Sequence, residues 1–304
     1  MSRSWIDRAR RSFAPDASAG LVVGRDYVGF AHLVAAGGGW QARVVSEERL
    51  ATPLFSGAPS QQASAALDEA LKAFPADLKR SYLPVHVSLP DAAVRVATFE
   101  LDQMPKTRAA QLDLARLRFG RLGVNGGHVF TCQPLARDGD KHLLFGMAGE
   151  DAWQRLVGEA LSRAGIVAWS LSANACRQFN CYNERLARAS GALVTLAPDY
   201  WALWVWDAEA RPRYARSQWR ASKGDHPEIA AEVERLILAY VQGDARRTVT
   251  QVFVVAGDET GAMAAALDAR LREPCAKLAP ADAGVQTPGA AASAALSLAA
   301  ALER

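Results

Sequence analysis

From Gly20 onward, apolar positions come in strand-length runs broken by turn residues. Leu21-Val22-Val23, the turn Gly24-Arg25-Asp26 and the run 27–34 read as a hairpin, and after a turn at 36–39 the run 40–45 adds a third antiparallel strand. The period then becomes helical. Ala66, Leu67, Ala70, Leu71 and Phe74 predict a helix over about 63–74. Next come a core strand at Val85–Leu89 stopped by Pro90, a strand at Val94–Leu101, a helix at 107–122, strands at 129–135 and 142–147, and helices at 151–164 and 174–189. Three-stranded meanders alternating with helices indicate an α/β or α+β protein.

A second half starts at Gly191 and repeats this plan. Residues 192–196, the turn Ala197-Pro198-Asp199 and the run 200–206 form another hairpin, to which 212–218 adds a strand. A helix at 227–242, a core strand at 252–256, a helix at 261–271 and an alanine-rich helix at 289–302 follow. Shifting the chain by 173 places Val23-Gly24-Arg25-Asp26-Tyr27-Val28 on Leu196-Ala197-Pro198-Asp199-Tyr200-Trp201, the mark of an internal duplication.

Ahead of the first strand, Trp5, Ile6, Ala9 and Phe13 share one side of a short helix whose other side carries Arg3, Arg8, Arg10 and Arg11, with Pro15 ending it. This segment changes the reading of charge. The 304 residues hold 35 Lys+Arg and 32 Asp+Glu, and the first thirteen take four of the bases and one of the acids. The rest of the chain is therefore left with 31 of each. A neutral body excludes an electrostatic nucleic-acid binder. The basic segment, with Trp5, Arg8, Arg10, Arg11 and Phe13, is expected either to touch an anionic membrane surface or to dock on its own protein. With no apolar signal region, and four scattered cysteines (Cys132, Cys176, Cys181, Cys275), the expectation is a cytoplasmic protein.

The order of these runs resembles the actin-like ATPase superfamily, and within it the type IV pilus assembly proteins of the PilM and MshI type and the cytoplasmic part of the type II secretion L protein. Gly20-Leu21-Val22-Val23-Gly24 stands where that family has Gly-hydrophobic-Asp-hydrophobic-Gly. His86-Val87-Ser88-Leu89-Pro90, followed by the run from Arg95 to Met104-Pro105, is similar to its passage into an inserted subdomain. The strand at 143–148, Ala164-Gly165-Ile166 ahead of Trp169, 192–196, Val254-Val255-Ala256-Gly257 and 294–304 follow in family order. The resemblance implies an actin-like (ribonuclease H-like) α/β fold of two lobes. Residues 1–19 would be the N-terminal helix and linker, 20–190 the first lobe with an inserted small subdomain at about 91–150, and 191–304 a reduced second lobe.

In active members each hairpin turn cradles phosphates with backbone N–H groups, an aspartate before each turn positions the metal, and a third Gly-rich turn packs on adenine. Here Val22 and Thr195 stand at the aspartate positions. Arg25 and Asp26 fill the first turn after Gly24; Ala197, Pro198 and Asp199 fill the second, and Pro198 lacks a donor. Asp26 and Asp199 could be displaced metal ligands, but a turn aspartate more often caps its own backbone. The adenosine turn keeps Gly257 and has Asp258 next to it, and the short step from Gly243 to Val252 leaves no room for an adenine-covering subdomain. No catalytic residue, cofactor or metal is therefore expected, with ATP and magnesium the alternative.

The five histidines (His32, His86, His128, His142, His226) lie too far apart for a metal site, Cys176-x4-Cys181 reads as buried free thiols, and the glycines at 123, 126 and 127 close a helix. Trp201, Trp204, Trp206 and Trp219 fill either a core or a vacated cleft, or else form a partner patch. Arg211, Arg213, Arg216, Arg220 and Lys223 beside them read as a solvated rim. By resemblance the chain is expected to be a pseudo-ATPase scaffold of type IV (MSHA-like) pilus assembly at the inner face of a bacterial inner membrane. It would work with other pilus assembly proteins and bind the cytoplasmic tail of a PilN-like inner-membrane protein, without nucleic acid. The tail cleft is expected near the stretch that begins at Val94 and ends at Leu122. The alternatives are an active ATP-binding protein or phosphotransferase of the same fold, or an adaptor of type II secretion.

Overall fold

A computed structural model describes residues 17–37, 39–76, 83, 85–124, 126–222, 224–286 and 302. The N-terminal helix at 2–13 and, apart from Leu302, the closing helix at 289–302 lie outside them. The first lobe opens with β1 (Ala17–Val23), β2 (Tyr27–Ala36) and β3 (Gly39–Arg49), an antiparallel meander with a bulge between His32 and Leu33. Helix α1 (Gln61–Lys72) starts where the Ser60 hydroxyl accepts the Ala63 N–H at 3.1 Å, a cap worth about 1 kcal/mol. Next, β4 (Val85–Leu89) lies parallel to β1, so Val85, Val87 and Leu89 bury against α1.

A separate three-stranded sheet then interrupts the lobe. It consists of β5 (Val94–Leu101), helix α2 (Arg108–Arg121), β6 (His128–Pro134) and β7 (His142–Glu150), in strand order β5-β7-β6. Helix α2 covers one face of that sheet, with Ala115 and Phe119 packed on Leu101, Cys132, Leu144 and Ala148. The chain returns through α3 (Asp151–Arg163) to β8 (Ala168–Ala173), which pairs parallel with β4.

The helix predicted over 174–189 is two helices, α4 (Asn174–Cys181) and α5 (Asn183–Leu186). Tyr182 parts them at φ −100° and ψ 12°, and its ring wedges, fully buried, into the core between the lobes. Packing of that ring overrides the helical pattern.

The second lobe is β9 (Gly191–Leu196), β10 (Tyr200–Trp206), β11 (Pro212–Trp219), α6 (His226–Gln242), β12 (Val252–Val255), α7 (Thr260–Asp268) and β13 (Cys275–Lys277). Its five strands run β11-β10-β9-β12-β13. The last described strand, β14 (Val285–Gln286), leaves this sheet. It pairs with Trp40 and Gln41 of β3, completing the first sheet as β14-β3-β2-β1-β4-β8. The span 191–304 expected for the second lobe therefore gives its last described strand back to the first. Among the described residues no helix is long and apolar enough to cross a membrane.

Candidate functional site

The two hairpin turns meet where the lobes join. Strands β1 and β2 close on the pair Val23 and Val28, and β9 and β10 close on Leu196 and Trp201. Inside each turn the same bond forms: Gly24 N–H to Tyr27 O at 2.8 Å, and Ala197 N–H to Tyr200 O at 2.9 Å. The turns are thus the same hairpin built twice.

The contents of the turns leave little for a phosphate. The Arg25 N–H, which a phosphate oxygen would need, donates instead to Asp199 Oδ2 at 2.5 Å across the lobe junction, 174 residues away in sequence. Asp199 therefore caps the opposite turn as well as its own backbone, which extends the sequence expectation. Only 6% of it is exposed, and burial pushes its carboxyl up to about 6 against the pull of the Arg25 N–H. Above Gly24 lies the Tyr27 ring, 2.3 Å from where a Cβ on that glycine would sit. Arg25 itself reaches over the Trp219 ring, 5.7 Å from its centroid, and Trp219 stacks on Phe55 at 6.3 Å. Val22 and Thr195 are fully buried and carry no carboxylate. These residues do not fit a magnesium-bound triphosphate. The Gly24, Arg25 and Ala197 N–H groups are engaged within the protein, the Tyr27 and Trp219 rings fill the space, and positions 22 and 195 offer no carboxylate.

Two acids that sequence reasoning passed over organise the junction. Asp91, just past the end of β4, turns its carboxylate to the Ala175 N–H at 2.9 and 3.0 Å, at the start of α4. Burial pushes it up to about 7, opposed by that N–H and the Tyr200 hydroxyl. The signal was a lone acid following Ser88-Leu89-Pro90, which reads as a strand stop. Glu259, past Gly257 and Asp258 in the adenosine turn, takes Arg220 Nη1 and Nη2 at 3.0 Å and His226 Nε2 at 2.9 Å. Arg220 also donates to Ala197 O at 2.9 Å and to Asp225. The third turn is in this way tied to the second by a buried arginine.

Further polar bonds join the lobes. Asn174 Nδ2 donates to Tyr200 Oη at 2.9 Å, Ser217 Oγ to Asp91 O at 2.8 Å, and Thr98 Oγ1 to Pro212 O at 2.6 Å. The expectation of a solvated arginine rim holds for the exposed Arg216 and is overturned for Arg211, Arg213 and Arg220. Arg211 pairs with Asp207, Asp138 and Glu209, and Arg213 with Glu100 and Asp138, their side chains 10% and 7% exposed. Strand β11 lies beside β5, so guanidiniums that look peripheral in sequence are enclosed. Lys223 lies outside the described residues. Trp204 and Trp206 pack in the core between the lobes while Trp201 packs on the other face of the sheet. Trp206 Nε1 donates to Leu186 O and Ala189 O. The Cys176 and Cys181 thiols are free, and burial pushes both up to about 12. Among the described residues no three His, Cys, Asp or Glu side chains group as a metal site.

Two larger cavities and a smaller one of about 320 Å³, lined by Thr98, Phe99, Glu100 and Arg118, flank the inserted sheet. One of the larger two, about 620 Å³, includes Val94, Val96, Phe119 and Leu122 of the stretch singled out from the sequence, with Trp153 and Trp219 opposite. The other, about 550 Å³, lies between the face of the sheet that α2 leaves bare and helix α4. Thr131 and Gln133 of β6, Phe145 and Met147 of β7, and Cys176 and Phe179 of α4 line it; only Arg108 comes from that stretch. Strand β6 is a sheet edge, so this second groove has apolar walls beside unpaired strand backbone.

No known protein family matches the chain by sequence, and neither does any curated protein. Solved structures do match by shape. The PilM-PilN type IV pilus biogenesis complex aligns at a TM-score of 0.70 with 16% identity, over 93% of this chain and 97% of that one. A Bacteroides thetaiotaomicron protein with an actin-like ATPase fold gives 0.56 and 10%, over 88% and 92%. The cytoplasmic domain of EpsL, an inner-membrane component of the type II secretion system of Vibrio cholerae, gives 0.51 and 11%, over 95% and 96%. The chain has the actin-like fold.

Proposed function

We propose that this protein is a non-enzymatic adaptor of a type IV pilus machine, a pseudo-ATPase that holds the extended cytoplasmic tail of a PilN-like inner-membrane protein. The observation that carries the reading is the pairing of a closed pair of phosphate turns with an open groove beside β6. An extended peptide adds backbone hydrogen bonds at a free strand edge and places alternate side chains in adjoining apolar pockets. The groove supplies both, from Thr131 and Gln133 on the edge to Phe145, Met147 and Phe179 below. The likeness of the whole chain to PilM in its complex with PilN supports the class of partner. The weaker likeness to EpsL keeps type II secretion as the second reading, and neighbouring genes for PilN-, PilO- and PilQ-like proteins separate the two. In either machine the protein works at the inner face of the inner membrane.

The test is titration with synthetic tails of the membrane proteins encoded beside it. Thr131 and Gln133 are exposed, so Gln133→Trp fills the groove without entering the core. A tail that binds the native protein is expected to lose at least about tenfold in affinity for Gln133→Trp, which is ~1.4 kcal/mol. Equal affinity for both proteins would move the site elsewhere. In the same experiment ATP with magnesium is expected not to bind, and tight binding would favour the active-enzyme alternative.

A further inference from the structure

We infer that the turn around Arg25 is an oxyanion site filled by the protein's own Asp199 carboxylate, which acts as a permanent internal ligand holding the two lobes together. This inference rests on the reading above that nucleotide does not occupy the junction. A backbone N–H in a tight turn is a fixed donor for anions, and a carboxylate bound to it makes a short, charge-assisted bond. The observed contact is of that kind: a backbone N–H donating to a carboxylate, between lobes, with only 6% of Asp199 exposed. Asp199 is itself held from behind. Its own carbonyl accepts the Arg220 N–H at 2.8 Å, and the Arg220 guanidinium, its side chain 1% exposed, is fixed by Asp225 and Glu259. The partner turn is fixed as well, since Gly24 is under the Tyr27 ring and Arg25 is over Trp219. A carboxylate supported on one side and a donor supported on the other behave as ligand and receptor within one chain.

The consequence is specific. Shortening Asp199 removes the ligand but leaves its receptor, an N–H facing a hole the size of a small oxyanion. Asp199→Ala is expected to lower the melting midpoint by several degrees, and acetate or inorganic phosphate is expected to restore part of that loss. The same salts at matched ionic strength leave the native protein and Asp26→Ala unchanged. A merely structural aspartate shows the loss without the anion-specific recovery, and that result overturns the inference, as does an Asp199→Ala midpoint equal to the native one. Should Asp199→Ala fail to fold, the native protein still decides the matter by amide exchange. The Arg25 N–H is expected to exchange as slowly as the core strands, and exchange at the rate of an open loop overturns the clasp. ATP binding by the native protein would instead defeat the pseudo-ATPase reading, so the two failures are distinct.

Discussion

The Asp91 carboxylate, 2% exposed, accepts the Ala175 N–H and the Tyr200 hydroxyl, with Tyr27 and Cys176 also among its titratable surroundings. Burial dominates, so its pKa rises from 3.8 to about 7. A carboxyl with a raised folded pKa binds its proton more tightly in the folded chain than in the unfolded one. Its contribution to stability is therefore full below the unfolded value and is lost as pH rises through about 7, with a total on the order of a few kcal/mol. Asp91→Asn keeps an oxygen for the Ala175 N–H and removes the titration. Relative to the native protein, this variant is expected to gain stability steadily as pH rises across that window, measured by urea unfolding. A stability gap that does not change with pH would show that Asp91 is not titrating there. Sequence could find Val22, Thr195 and Pro198, because each departs from a pattern at a fixed offset. It could not find what Asp91 and Asp199 do, because each acts on a group about 84 or 174 residues away.

The paired hairpins set the limits at the scale of elements. Strand β9 lies between β10 and β12, and its first residue shows how close that packing is. A Cβ on Gly191 would stand 2.6 Å from the Trp206 ring and 3.0 Å from the Gln251 carbonyl. Neither neighbour can retreat: Trp206 is pinned by its two carbonyl acceptors, and the Gln251 carbonyl accepts the Ala192 N–H at 3.0 Å. Gly191→Ala is expected to cost about 1–3 kcal/mol in chemical denaturation, as overpacking does, although alanine suits a strand better than glycine. A neutral result would mean that β9 and Trp206 shift together. Core strands were legible because Val85, Val87 and Leu89 alternate at strand period and 192–196 is apolar but for Thr195. The edges were not. Strand β8 reads Ala-Trp-Ser-Leu-Ser-Ala, with Trp169 69% exposed, and β13 and β14 are three and two residues long, so pairing partners rather than periodicity define them.

For the whole molecule, charge and shape divide the work. With 31 bases and 31 acids beyond residue 13, the body carries no net formal charge, and many of its arginines are spent on internal pairs such as Arg211 with Asp207 and Arg220 with Glu259. The net basic charge that would draw the chain to an anionic bilayer lies on Arg3, Arg8, Arg10 and Arg11, each worth about 1 kcal/mol near such a surface, beside Trp5, Ile6 and Phe13. A bound tail would add a second tether, and two weak attachments to one surface multiply instead of adding. Deleting residues 2–13 is expected to leave the melting midpoint of the body unchanged and to lower its sedimentation with phosphatidylserine vesicles. The native protein should lose the same binding as salt rises, because the Debye length shrinks to about 8 Å near physiological ionic strength. Sedimentation unchanged by the deletion would place the segment on its own protein and leave the proposed tail contact as the protein's one tether to the membrane.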